Sequence, residues 1–216
     1  MTISVFLADD HQVMRDGLRT LIETQPGFRV VGESGEGRET VRAIGRLKPD
    51  VVLMDIAMPG LNGIEATRQI RKKYPSVEVV VLSMYTTTEH IYRALAAGAR
   101  GYLLKECAGN EVLEALRAAK KGQRFLSGKI SEKDVEDHRR SRTGGKSASP
   151  IERLSPRERE IVQLVVEGKS SAAIAKIVFL SPKTVETYRS RLMKKLDVND
   201  LPALIKFAVA NGLTNP

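Results

Sequence analysis

Five short apolar runs alternate with five helix-periodic segments over the first 120 residues, and that alternation leaves few folds open. The runs are Ile3–Ala8, Arg29–Glu33, Val51–Asp55, Val77–Ser83 and Gly101–Lys105. Between and after them lie Val13–Thr24, Arg38–Leu47, Gly63–Lys73, His90–Ala97 and Gly109–Lys120. In the first helical segment Val13, Leu18, Leu21 and Ile22 recur at helical spacing. The later runs are β-branched or leucine-rich throughout, as expected of strands covered on both faces. Strand–helix alternation of this kind predicts an α/β fold, a five-stranded doubly wound parallel sheet.

Four of the runs end on residues that phosphoryl chemistry uses: Asp9 and Asp10, then Asp55, Ser83 and Lys105. Open parallel sheets bind ligands beyond the carboxyl ends of their strands, so these side chains are expected to meet at one edge. Clustered carboxylates cannot all stay ionised without a cation. Asp9, Asp10 and Asp55 therefore point to a hard ion held by oxygens and water, Mg2+ above others. A carboxylate can also attack phosphorus to give an aspartyl-phosphate, with Lys105 and Ser83 holding the phosphoryl oxygens. Asp55 is the candidate nucleophile, because it ends the central strand and precedes the turn Met58–Pro59–Gly60. His11, beside Asp10, is read as a surface or helix-capping residue with no catalytic part.

The pattern dissolves between residues 126 and 152, where His138 to Pro150 is basic, polar and rich in Gly and Ser. This stretch reads as a flexible linker. From residue 153 to 216 four short helices are expected, the first opening on the capping box Ser155–Pro156–Arg157–Glu158. The middle two are joined tightly, as in a helix-turn-helix. The third, from Pro182 to Leu196, splits into an apolar face (Val185, Leu192 and Leu196, with Tyr188 beside them) and a polar stripe of Lys183, Thr187, Ser190, Arg191 and Lys194, bordered by Glu186. Such a stripe suits a major groove. Charge agrees: of a net +9, residues 126–216 carry 17 Lys and Arg against 11 Asp and Glu, whereas residues 1–125 carry 18 against 15. A basic module is the electrostatic footprint of a nucleic-acid binder.

Residues 1–125, with Asp9–Asp10, Asp55 before Met58–Pro59–Gly60, Ser83, and Lys105 closing Gly101–Lys105, resemble the receiver domain of bacterial two-component response regulators, a flavodoxin-like fold. The resemblance implies Asp55 as phosphoacceptor, fed by a sensor histidine kinase. It implies Mg2+ held by Asp10, Asp55 and the main-chain carbonyl of Ala57, with Asp9 acting through water, and Ser83 with Tyr102 as a switch pair whose aromatic ring turns inward. Glu106 follows Lys105 where many receivers have proline. Residues 153–216, through Leu154–Ser155–Pro156, Ile174–Ala175 and Leu180–Ser181–Pro182–Lys183–Thr184–Val185, resemble the LuxR-type helix-turn-helix. Together the halves are similar to the NarL/FixJ class of DNA-binding transcriptional regulators. Ser171–Ala172–Ala173 and Tyr188 depart from the usual pattern. The resemblance implies base contacts from Glu186, Thr187 and Ser190, and backbone contacts from Lys183, Thr184, Tyr188, Arg191 and Lys194. It also implies a homodimer formed on activation through part of the stripe Leu201, Leu204, Ile205 and Ala208 on the last helix; phosphorylation is expected either to expose a masked recognition helix or to drive that dimerisation.

Other classes fit less well. A phosphatase with an aspartyl nucleophile usually has a second Asp two residues on, where this chain has Ala57. The receiver is therefore expected to catalyse only its own phosphorylation and dephosphorylation. The intact acidic set with Lys105 argues against a constitutive DNA binder with a decayed receiver. No apolar run reaches membrane-spanning length, the first ten residues lack a secretory pattern, and the single cysteine, Cys107, fits a reducing cytoplasm.

Overall fold

The structure is a computed structural model that describes residues 2–106, 109–143 and 150–214. Cys107 and residues 144–149 of the expected linker lie outside the described residues. The chain divides into two compact units, Met1–Arg140 and Ser141–Pro216.

The first unit alternates β1 (Ile3–Ala8), α1 (Gln12–Glu23), β2 (Phe28–Ser34), α2 (Gly37–Leu47), β3 (Val51–Met54), α3 (Gly63–Lys73), β4 (Glu78–Ser83), α4 (Thr88–Ala96), β5 (Gly101–Leu104) and α5 (Gly109–Lys120). The sheet order is β2-β1-β3-β4-β5-β6, every pairing parallel. Leu18 and Ile22 of α1 and Val112 and Leu116 of α5 bury one sheet face. Val41 and Ile44 of α2 and Ala66 and Ile70 of α3 bury the other. Val13, the first residue of the expected apolar stripe of α1, is instead 85% exposed.

Two elements correct the sequence reading. The sheet has a sixth strand, β6 (Phe125–Leu126), paired with Gly101 and Tyr102. The expected flexible linker, 126–152, is ordered over much of its length, with helix α6 at Glu132–Thr143. Ser131 caps α6, accepting from the Asp134 N–H at 3.2 Å. Glu136 pairs with Arg139 and Arg140 one turn later. Val135 is buried in the cluster that holds Tyr102, Ile91 and Leu104. His138 stands 3.0 Å from Glu89 and edge-on to Tyr92 of α4. Burying one valine contributes about 1.5–3 kcal/mol, so Val135→Asp is expected to release α6. Amide exchange at residues 132–140 should rise about tenfold or more while β1–β5 stay protected; unchanged exchange there would contradict the docking.

The second unit holds α7 (Pro156–Val166), α8 (Ser171–Val178), α9 (Pro182–Leu196) and α10 (Leu201–Ala210), preceded by a 3-10 turn at Pro150–Arg153. Ile151 of that turn is fully buried in this unit's core, so the helical module begins before residue 153. Ser155 and Glu158 form the expected capping box. Ile174, Ala175 and Val178 of α8 share that core with Val185 and Leu192 of α9. Between them Phe179 takes the left-handed conformation at φ 56°, which closes the tight turn.

Candidate metal centre and nucleic-acid interface

Main-chain bonds carry the sheet one residue past its strands and so fix the residues expected at the site. Asp9 N–H donates to Ser34 C=O at 3.1 Å, Asp55 N–H to Ala8 C=O at 2.7 Å, and Lys105 N–H to Ser83 C=O at 2.9 Å. The loop after Asp55 closes against α3 where Gly63 N–H donates to Ile56 C=O at 2.8 Å. A Cβ at Gly63 would overlap the Asp55 carbonyl, so only glycine lets the helix approach this closely.

The side chains converge as the strand ends require. Lys105 Nζ lies 2.8 Å from Asp9 Oδ2 and 3.1 Å from Asp55 Oδ2, with all three side chains buried. Asp55 Oδ1 accepts the Ile56 N–H at 2.8 Å. Ligand atoms of Asp9, Asp10, His11 and Asp55 all lie within 4.8 Å of one another. Burial raises the Asp55 carboxyl to about 6, Lys105 pulling it down and Asp9 and Asp10 pushing it up. Burial alone would lower the Lys105 ammonium, but Asp55 and Asp9 hold it above its ordinary value. One lysine therefore under-compensates the carboxylates, and the oxygen-rich donor set fits a divalent hard cation. Ala57 is buried in the loop two residues beyond Asp55.

Ser83 is fully buried at the end of β4, and its Oγ accepts the Tyr85 N–H at 3.2 Å. Tyr102 is already turned inward, fully buried, with its hydroxyl donating to the Tyr85 carbonyl at 2.7 Å. Burial, first among several causes, drives the Tyr102 hydroxyl far above its usual pKa, so it remains a donor. Tyr85, which stacks on His90 with ring centroids 4.4 Å apart, thus bonds through its main chain to both Ser83 and Tyr102. His11, expected at the surface or as a helix cap, makes no side-chain capping bond, and its ring instead lies beside Asp9 and Asp10 in the acidic cluster.

On α9, Lys183, Glu186, Thr187, Ser190, Arg191 and Lys194 are exposed, while Thr184 and Tyr188 are half-buried. Lys183, Thr184, Thr187, Tyr188 and Arg191 line one shallow concavity together with Ser181. The opposite face, Val185, Leu192 and Leu196, is buried as expected. The stripe on α10 expected to form a dimer contact is divided: Leu204 and Ala208 belong to the core, and of the four only Leu201 and Ile205 are exposed. Leu204 and Ala208, buried inside their own unit, have no surface left to offer a second copy.

Residues 5–117 match the response regulator receiver domain, and residues 152–208 match the bacterial regulatory proteins of the luxR family. The chain belongs to the response regulators with a LuxR-type DNA-binding domain. It is a transcriptional regulator in which a receiver is joined to a DNA-binding helix-turn-helix. The transcriptional regulatory protein LiaR of Bacillus subtilis is 40% identical over 213 residues, 99% of this chain and 100% of LiaR. RcsB from Salmonella enterica serovar Typhimurium, solved bound to a promoter with the phosphomimetic BeF3−, is 26% identical with a TM-score of 0.62 and full coverage, 100%, of both chains. A structure of two RcsB dimers on two parallel DNAs is 28% identical with a TM-score of 0.57, covering 98% of this chain and 99% of RcsB.

Proposed function

We propose that Asp55 accepts a phosphoryl group from a phosphohistidine of a sensor histidine kinase, and that this switches the protein's hold on promoter DNA. The observation that carries the reading is Lys105 lodged between the buried carboxylates of Asp9 and Asp55. An Asp55 carboxylate oxygen attacks phosphorus, the P–N bond breaks, and the departing imidazole nitrogen keeps the electron pair and takes a proton. Lys105 follows the charge from the carboxylate to a phosphoryl oxygen, and the Ser83 hydroxyl turns to another. Asp10, Asp55 and the Ala57 carbonyl would hold Mg2+, with Asp9 acting through water, and the ion supplies positive charge opposite the phosphoryl oxygens.

When Ser83 turns, it gives up the Tyr85 N–H, and Tyr85 in turn holds Tyr102. The change therefore reaches the cluster shared by α4, β5 and α6. Glu186, Thr187 and Ser190 read base edges; Lys183, Thr184, Tyr188, Arg191 and Lys194 meet the DNA backbone; Leu201 and Ile205 supply the apolar part of a two-fold contact between copies. The protein works in the cytoplasm; among its described residues no helix is long and apolar enough to cross a membrane.

Incubation with Mg2+ and a small phosphodonor, followed by intact mass measurement, tests the first step. One phosphoryl group should add to the wild type and none to Asp55→Asn; incorporation by the variant would overturn the assignment. On DNA, Lys183→Ala and Arg191→Ala should each weaken all sequences alike and lower the salt slope by about 1. Thr187→Ala should cost about 1–3 kcal/mol on the protein's own site and relax its specificity. Uniform weakening by Thr187→Ala would make it a backbone contact.

A further inference from the structure

Tyr102, the proposed partner of Ser83 in the switch, is fully buried, yet the elements from β1 to α5 supply only part of its cover. Its ring lies on the side of the sheet that carries Ile91 and Ala94 of α4. The rest of the cover comes from the segment after α5. Leu126 of β6, Ile130 and Val135 of α6 pack in the same cluster, and Val135 is itself buried. The segment is fastened on both sides. Ser127 N–H donates to the Tyr102 carbonyl at 2.9 Å, and the Ser127 hydroxyl donates to Glu111 of α5. His138 holds α6 against Glu89 and Tyr92 of α4.

A ring enclosed in a close-packed cluster can swing only into space that a neighbour vacates. Ile56, Ile64, Val81 and Ile91 belong to the body of the receiver and cannot withdraw without opening it. α6 can, because it enters the cluster through Val135, its one apolar side chain. We infer that Val135 is a positioning residue for Tyr102: docked α6 bars the ring's way out and so holds the switch inward. The inference rests on the switch pair proposed above and adds what sets its position. Docking of α6 and loading of Asp55 then favour the same receiver state, and such coupling is reciprocal. The segment between the two units becomes an effector of its own receiver.

Beryllofluoride with Mg2+ is the probe, added to the full chain and followed by fluorine NMR, with amide exchange read at residues 132–140. In the wild type beryllofluoride should slow that exchange about fivefold or more. Val135→Ala keeps a good helix former in α6 and should weaken beryllofluoride binding about fivefold or more, whereas Val135→Ile should bind as the wild type does. Tyr102→Leu leaves no ring to confine, so in that background Val135→Ala should change the affinity less than about twofold. Exchange that is unchanged or faster with beryllofluoride would uncouple α6 from the switch or set it against it. Unchanged binding by Val135→Ala, or equal weakening with and without the Tyr102 ring, would leave Val135 a packing residue only. Each of these results overturns the inference. Asp55→Asn separates them from failure of the underlying reading. It should abolish binding, and if it binds beryllofluoride as the wild type does, Asp55 is not the acceptor and both readings fall.

Discussion

Replacing Lys105 with methionine is expected to destabilise the receiver by about 3–5 kcal/mol at neutral pH without divalent cations, the usual cost of stripping a buried ion pair of one partner. Asp9 and Asp55 are both buried, and Lys105 lies within 3.1 Å of each. Methionine keeps the apolar stem but leaves two carboxylates facing each other in a dry pocket. The loss should shrink as the carboxylates protonate on acidification, and millimolar Mg2+ should restore part of it. Urea denaturation of the wild type and Lys105→Met at pH 7.5 and pH 4.5, with and without Mg2+, measures this. A loss independent of pH and Mg2+ would mean that packing, not charge, is what Lys105 supplies.

The opposite sign is expected at Asp55. Its folded pKa lies at about 6, above the ordinary 3.8, chiefly through burial. A carboxyl raised on folding stabilises the fold below its unfolded pKa, and that stability is lost as pH rises through the folded value. Above about pH 6 the ionised form therefore costs the cation-free receiver up to about 3 kcal/mol. Asp55→Asn removes the cost. At pH 7.5 the variant should be more stable than the wild type, near pH 4 the two should converge, and Mg2+ should close the gap by stabilising the wild type alone. A variant less stable than the wild type at pH 7.5 would show that the Asp55–Lys105 attraction outweighs desolvation. The double substitution tests the coupling: with Asp55 neutral, Lys105→Met should cost less than it does alone.

That these side chains converge was legible because strand order does the assembling. Once the apolar runs of β1, β3, β4 and β5 are recognised, the residue at or just past the end of each is committed to one sheet edge, and Asp9, Asp55, Ser83 and Lys105 follow. α9 was legible for a similar reason, since Val185, Leu192 and Leu196 fix which face is buried and so which is free. α6 was not, because Val135 is the one apolar side chain in Glu-Lys-Asp-Val-Glu-Asp-His-Arg-Arg-Ser-Arg-Thr. Its order comes from tertiary docking and from the Ser131 cap, a Ser-x-x-Asp spacing that the sequence does contain. On α10 periodicity marked one apolar stripe but could not divide it, because only packing shows that Leu204 and Ala208 face inward and Leu201 and Ile205 do not.

The central claim is that the state of Asp55 governs DNA binding. The direct measurement is DNA affinity and oligomeric state of the wild type and Asp55→Ala in Mg2+, with and without beryllofluoride. The account predicts that the wild type alone responds, binding about tenfold or more tightly as it dimerises, while Asp55→Ala stays at the basal level. Equal binding by both proteins, with or without beryllofluoride, would contradict it.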